Sequence, residues 1–182
     1  MKLTDMAVLF EVFFICLVVA IHLKESKEQA NLMNQIMYNN VMDIVTEDAL
    51  RAGFYTVDRN GVPLVDLEEL CECFIAEVGL YENFGRHILI YVESDGIYSC
   101  DTYSEYKWSE KSIFFSGVST EHEEKVSMIS DYLEDKYGVI TMIPTNNGET
   151  WQNTIKDYSL LCISYDMNTD ICCFSGAVIE KQ

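Results

Sequence analysis

A chain of 182 residues is long enough for one folded domain with an appendage. Apolar residues make up 49% and charged residues 23%, which permits a packed core and excludes a largely disordered chain. Twelve Lys and Arg stand against 30 Asp and Glu, a net charge of -18, and so acidic a surface repels nucleic acid and anionic headgroups.

The charge is unevenly spread. Residues 1–30 carry a net of -1 and the remaining 152 carry -17. Apolar residues gather where charge is sparse. Ala7 to Leu23 reads AVLFEVFFICLVVAIHL, with Glu11 and His22 as its polar breaks. As a helix this run is about 25 Å long, near the lower limit for crossing a bilayer. Residues 1–23 are therefore expected to form a single transmembrane segment in the cell membrane, in contact with lipid. A cleaved secretory signal, with Lys2 at its start and cleavage after Ala20, is the competing reading. Lys2 lies on one side and Lys24 and Lys27 on the other, so the positive-inside count does not set the orientation.

No Pro or Gly occurs between Met1 and Gly53. Leu32, Met33, Ile36, Met37, Val41, Ile44, Val45, Leu50 and Ala52 recur in steps of three and four, which predicts that residues 24–53 continue the same helix with one apolar side. That side needs a partner surface, most simply the domain that follows. Gly53 is the expected C-cap.

The first 53 residues resemble type IV pilins and pseudopilins. In that family a short charged leader precedes an apolar helix with one early glutamate, an amphipathic continuation and an antiparallel-sheet head. Here the leader is MKLTDM and the mature chain opens AVLFE, with Glu11 fifth from Ala7, where the pilin glutamate falls. Met6 stands where the family has glycine, and Ala7 where it has phenylalanine. The resemblance implies subunits packing through residues 7–23, with Glu11, Phe10, Phe13 and Phe14 as candidate contacts and Glu11 meeting a positive group on its neighbour. The runs DALRAGFY, VDLEELCECFIAEVGLYENFG and HILIYVESDGIYSC are similar to single-pass proteins of Gram-positive bacteria associated with Tad-like pilus or secretion clusters.

Residues 54–182 read as an acidic α+β head. Asn60-Gly61 and Pro63 mark a turn. Asp66 followed by Glu69 opens a helix with Leu67, Leu70, Cys71, Phe74 and Val78 on its apolar face, ending near Gly79. His87–Glu93 is a continuous apolar strand suited to the centre of a sheet. Asp95-Gly96 is a hairpin turn, and Ile97–Tyr103 returns. Between them and the next helix, Trp108, Phe114 and Phe115 are expected to pack. Thr120 with Glu123 opens a helix with Val126, Ile129, Tyr132, Leu133 and Tyr137 inside and Gly138 as its cap. Val139–Ile143 is a strand, Asn147-Gly148 a turn, and Tyr158–Tyr165 with Ile171–Ile179 a terminal hairpin. The expected architecture is an antiparallel or mixed sheet of four to six strands with helices on one face.

Six of the seven cysteines lie outside the apolar run. Their spacing matches no disulfide framework, and buried free thiols are the simplest reading. A cross-strand disulfide involving Cys100 or Cys162 is the sharper alternative. Cys71 and Cys73 diverge by about 200° around a helix, too far apart to share a metal. His22, His87 and His122 are scattered. The chain has no Walker loop, dinucleotide turn, GxSxG elbow or HExxH, so no catalytic, cofactor-binding or metal-binding residue is assigned and an enzyme is not expected. The function expected is a membrane-anchored pilin-like or accessory subunit of a surface appendage or secretion machine, its head outside the cytoplasm and free of dependence on a disulfide. Its partners would be similar subunits. A solitary anchored binding or sensing module is the alternative.

Overall fold

The computed structural model describes residues 3–80, 85–102, 107–112, 115, 122–138, 156–166 and 171–179. The expected strand at Val139–Ile143, the turn at Asn147-Gly148, Phe114 and Thr120 lie outside them. Among the described residues the chain is α+β. The helices are α1 (Leu3–Gly53), α2 (Leu67–Val78) and α3 (His122–Tyr137). The strands are β1 (Phe54–Val57), β2 (Pro63–Val65), β3 (Arg86–Val92), β4 (Ile97–Asp101), β5 (Ser159–Asp166) and β6 (Ile171–Val178). Two compact units divide between Tyr38 and Asn39.

In the first unit the expected membrane anchor is corrected. No helix among the described residues is long and apolar enough to cross a membrane. Charge sets the limit: Glu11 and Lys24 bound the apolar run, and Val12–Leu23 as a helix is about 18 Å long against a hydrocarbon core of about 30 Å. The single-pass location, with the side it assigned to the head, rested on that span and falls with it.

In the second unit the last turns of α1 bury Met42, Val45, Thr46, Ala49 and Leu50, positions spaced as one helix face. Ile44, expected on the apolar stripe, is exposed, as are Leu32, Met33, Ile36 and Met37 of the first unit. The stripe read from spacing is thus rotated relative to the face that packs. Gly53 does not end α1 through a left-handed conformation. A Cβ there would stand 2.7 Å from both the Asp66 carbonyl oxygen and Leu70 Cβ, so glycine permits the close approach of α1 to α2.

β1 and β2 form a short antiparallel hairpin where the sequence predicts only a turn. Asp58 organises it: its Oδ1 accepts from the backbone N–H of Asn60 and of Val62, each at 2.8 Å, and Gly61 takes a positive φ of 77°. These bonds, that from Val62 foremost, hold the Asp58 carboxyl below its usual range. Asp66 N-caps α2 as expected, accepting from Glu68 N at 3.0 Å and Glu69 N at 3.1 Å.

The larger sheet is antiparallel with strand order β4-β3-β5-β6. The β3–β4 turn falls where Asp95-Gly96 predicted it, but one residue off: Glu93 N–H donates to Gly96 O at 2.8 Å, leaving Ser94 and Asp95 as the central pair. Helices cover both faces of the sheet, not one. α3 lays Ile129 and Leu133 on Ile88, Ile90, Val92, Ile97, Leu161 and Ile163, with Phe115 completing the cluster. Alternation sends Leu89, Tyr91, Cys100, Leu160, Cys162 and Cys173 to the other face. There Ser175 Oγ donates to Met42 O of α1 at 3.1 Å, and Phe74 of α2 meets the His87 ring edge-on at 5.5 Å. Covered on both sides, β3 reads as the unbroken apolar run it is. Gly138 ends α3 as predicted, with φ 65° and its N–H donating to Glu134 O at 3.0 Å.

Candidate functional site

Three places bring chemistry-bearing side chains together or leave them unpartnered. The first is the apolar part of α1. Phe10, Phe13 and Phe14 share one helix face by their spacing, and they are 72%, 65% and 59% exposed. Ile15, Val19 and Leu23 are exposed as well and lie on other sides of the helix. The fourth expected contact, Glu11, has its side chain outside the described ones.

The second place is the buried sulfur and imidazole layer between the sheet and α2. Cys71 Sγ of α2 lies 3.7 Å from Cys100 Sγ of β4. The hydrogen bond between the two sulfurs, to which either thiol can donate, holds the Cys71 thiol below its usual range, against burial and the nearby Glu72. The same contact, with burial, pushes the Cys100 thiol up. Cys162 is elsewhere. Leu89 pairs with Cys100 on one side and with Cys162 on the other, so the two cysteines are two strands and about 9.5 Å apart. That exceeds the reach of a disulfide, and the sequence-based candidates Cys100 and Cys162 are not brought together. Cys162 Sγ instead contacts Ser164 Oγ at 3.3 Å, and that hydroxyl bonds His87 Nδ1 at 2.7 Å. Burial lowers the His87 pKa to about 4. The imidazole is therefore neutral at neutral pH, and this Cys-Ser-His chain lies inside the core, where a substrate does not reach.

The third place is a polar corner over β4. Ser99 Oγ is 2.8 Å from the hydroxyls of both Tyr132 and Tyr137, and Lys136 Nζ donates to it at 3.0 Å. A serine beside a lysine suggests nucleophilic catalysis, but the amine would have to be neutral to act as base. Burial works to lower the Lys136 pKa and is outweighed by its hydrogen bonds to the two tyrosine hydroxyls, so the pKa is raised and the group stays an ammonium. Ser99 is also only 1% exposed. The corner instead anchors α3 to the sheet. Beside it, residues 107–112 run along the β4 edge: Ser109 N–H donates to Ser99 O at 2.8 Å and Ser112 N–H to Ile97 O at 3.0 Å. Lys111 pins this segment to the hairpin through Glu93, at 2.6 Å, and Asp95.

A cleft of about 630 Å³ also runs between α1 and β6, lined by Asp43, Glu47, Arg51, Phe54 and residues 176–179. Arg51 is already engaged by Glu47 and Asp48. Among the described residues no group of three or more His, Cys, Asp or Glu converges as metal ligands.

Comparison with known protein families, curated proteins and solved structures returns no match for this chain. The pilin-like resemblance therefore rests on the residues that carry it. Sequence reasoning missed the Cys71–Cys100 pair. Both halves were visible, Cys71 on the apolar face of α2 and Cys100 in a strand, but not which strand α2 would cross.

Proposed function

We propose that this protein is an assembly subunit with a structural role, whose copies pack through residues 10–23 of α1 in the manner the pilin-like layout implies. The observation that carries the reading is the exposure of Phe10, Val12, Phe13, Phe14, Ile15 and Leu17 on more than one side of one helix. Isolated apolar residues on a surface are ordinary, but a contiguous apolar stretch marks an interaction site. A helix that is apolar all round is satisfied only when surrounded. One partner helix covers one side, so the arrangement calls for three or more helices, supplied by further copies of the chain. The second unit has its own two-sided core and needs no such help.

Sedimentation velocity of the full chain tests this. At about 20 μM the expected species is an assembly of at least three copies, and Phe13→Glu with Phe14→Glu shifts it to monomer while the circular dichroism of the second unit persists. A wild-type chain that stays monomeric overturns the assembly role. It would favour the second reading, a solitary binding module, which draws on the cleft beside α1 and β6.

A further inference from the structure

We propose that Cys71 and Cys100 form an oxidation site, two thiols that close into a reversible disulfide tying α2 to β4. Their sulfurs are 3.7 Å apart, and a disulfide needs about 2.0 Å, so they have only about 1.7 Å to close. Both side chains are buried, on the facing surfaces of a helix and a strand that are already in contact. The reduced pair packs as two small apolar side chains, so the fold is complete without the bond.

Among the cysteines of the second unit whose side chains are described, no other competes for either partner. Cys73 points to another side of α2, its Sγ 3.9 Å from Glu77 Oε1. Cys162 lies two strands from Cys100 and Cys173 three strands away.

The order of events follows from the pair. Either thiol donates to the other across the 3.7 Å contact, and that bond holds the Cys71 thiol below its usual range, so Cys71 is the first to react as a thiolate. Hydrogen peroxide is the simplest oxidant of the right class and is small enough to enter a transiently opened core. The Cys71 thiolate attacks one peroxide oxygen, the O–O bond breaks, and with one proton the departing hydroxide leaves as water. Cys71 is then a sulfenic acid. Cys100 sulfur attacks Cys71 sulfur, the S–O bond breaks, and the hydroxide takes the Cys100 proton as a second water. Two thiols lose two electrons in all, and one peroxide becomes two waters. A dithiol reductant reverses the product by thiol–disulfide exchange.

The test uses the full chain treated with a stoichiometric amount of hydrogen peroxide, digested with a Glu-specific protease without reduction, and mapped by mass spectrometry. Cleavage at Glu72 separates Cys71 from Cys73, so the linkage is unambiguous. The expected result is a linked peptide pair carrying Cys71 and Cys100, which disappears on reduction. The expected melting midpoint of the oxidised chain is about 10 °C above that of the reduced one, because the bond closes a loop of some thirty residues. Cys71→Ser should abolish both changes. A digest in which Cys71 and Cys100 remain reduced, or link to other cysteines, overturns the proposal. So does an equal rise in midpoint in the Cys71→Ser chain. The mapping needs no variant, so a poorly folding Cys71→Ser protein leaves the question decidable.

Discussion

Acid should destabilise this protein through His87, by an amount that follows from its burial. The ring is nearly sealed between β3, the Ser164 hydroxyl and the edge of Phe74. Desolvation lowers its pKa from 6.5 to about 4. Between those two values the unfolded chain binds a proton at this residue that the folded chain does not. Stability therefore falls as pH falls through that window and is flat, as far as His87 is concerned, above and below it. About two and a half pH units at 1.36 kcal/mol each give a loss of roughly 3 kcal/mol, near pH 4 relative to pH 7. The acidic surface acts the other way, since protonating carboxylates relieves the repulsion of a chain at -18. The informative quantity is thus the difference between wild type and His87→Gln in urea unfolding at pH 7, 6, 5 and 4.5. Wild type should lose about 2–3 kcal/mol more than the variant over that range. A difference constant to within about 0.5 kcal/mol, or an NMR titration placing His87 above pH 6, would refute the reasoning.

Gly53→Ala should destabilise by about 1–3 kcal/mol in the same assay, although alanine is the better helix former, because its Cβ would meet a backbone oxygen and Leu70 at 2.7 Å. A gain in stability would mean that α1 and α2 are not in close approach there. Tyr91→Phe should be neutral or stabilising by up to about 1 kcal/mol, since the Tyr91 hydroxyl is buried with no hydrogen-bond partner among the described residues. A loss above about 1 kcal/mol on thermal melting would show that this hydroxyl is satisfied.

Elements whose signal is local were legible in the sequence. Asp66 announces α2 because a carboxylate two and three residues before free amides caps a helix wherever the helix goes. Gly138 ends α3 for the same kind of reason. β3 was legible because a strand covered on both faces must be apolar at every position. The illegible parts depend on partners. β1 and β2 are short and largely exposed, so neither composition nor alternation marks them. The burying face of α1 was misread by a rotation because the exposed Ile44 is as apolar as the buried Met42 and Val45, and spacing alone does not say which of two adjacent apolar rows meets the sheet. The span at residues 7–23 was overread because the run was counted through Glu11, which leaves only Val12–Leu23 free of Asp, Glu, Lys and Arg. The cysteine pair was hidden because it joins elements whose crossing is a tertiary fact.

The two faces of the sheet explain why the domain boundary falls inside a helix. The α3 face is built from Ile, Leu and Val, large side chains that hold a helix at ordinary distance. Beyond Leu160, the opposite face along β5 and β6 carries Cys162, Ser164, Cys173, Ser175 and Ala177, which are small. Small side chains let a helix backbone come near, and Ser175 bonds directly to the Met42 carbonyl. Ala49, itself small and fully buried, continues the fit on the helix side. An approach this close leaves little room for a different cover, so residues 39–53 of α1 are core material, not a stalk leading to a core. Cutting the chain at Phe54 would strip Met42, Val45, Thr46 and Ala49 from the buried set. Leu89, Tyr91 and Leu160 would face water on the side those residues now help to cover. The same argument separates the two ends of α1 physically: its C-terminal turns have their partner within the chain, and its apolar N-terminal turns find none among the described residues.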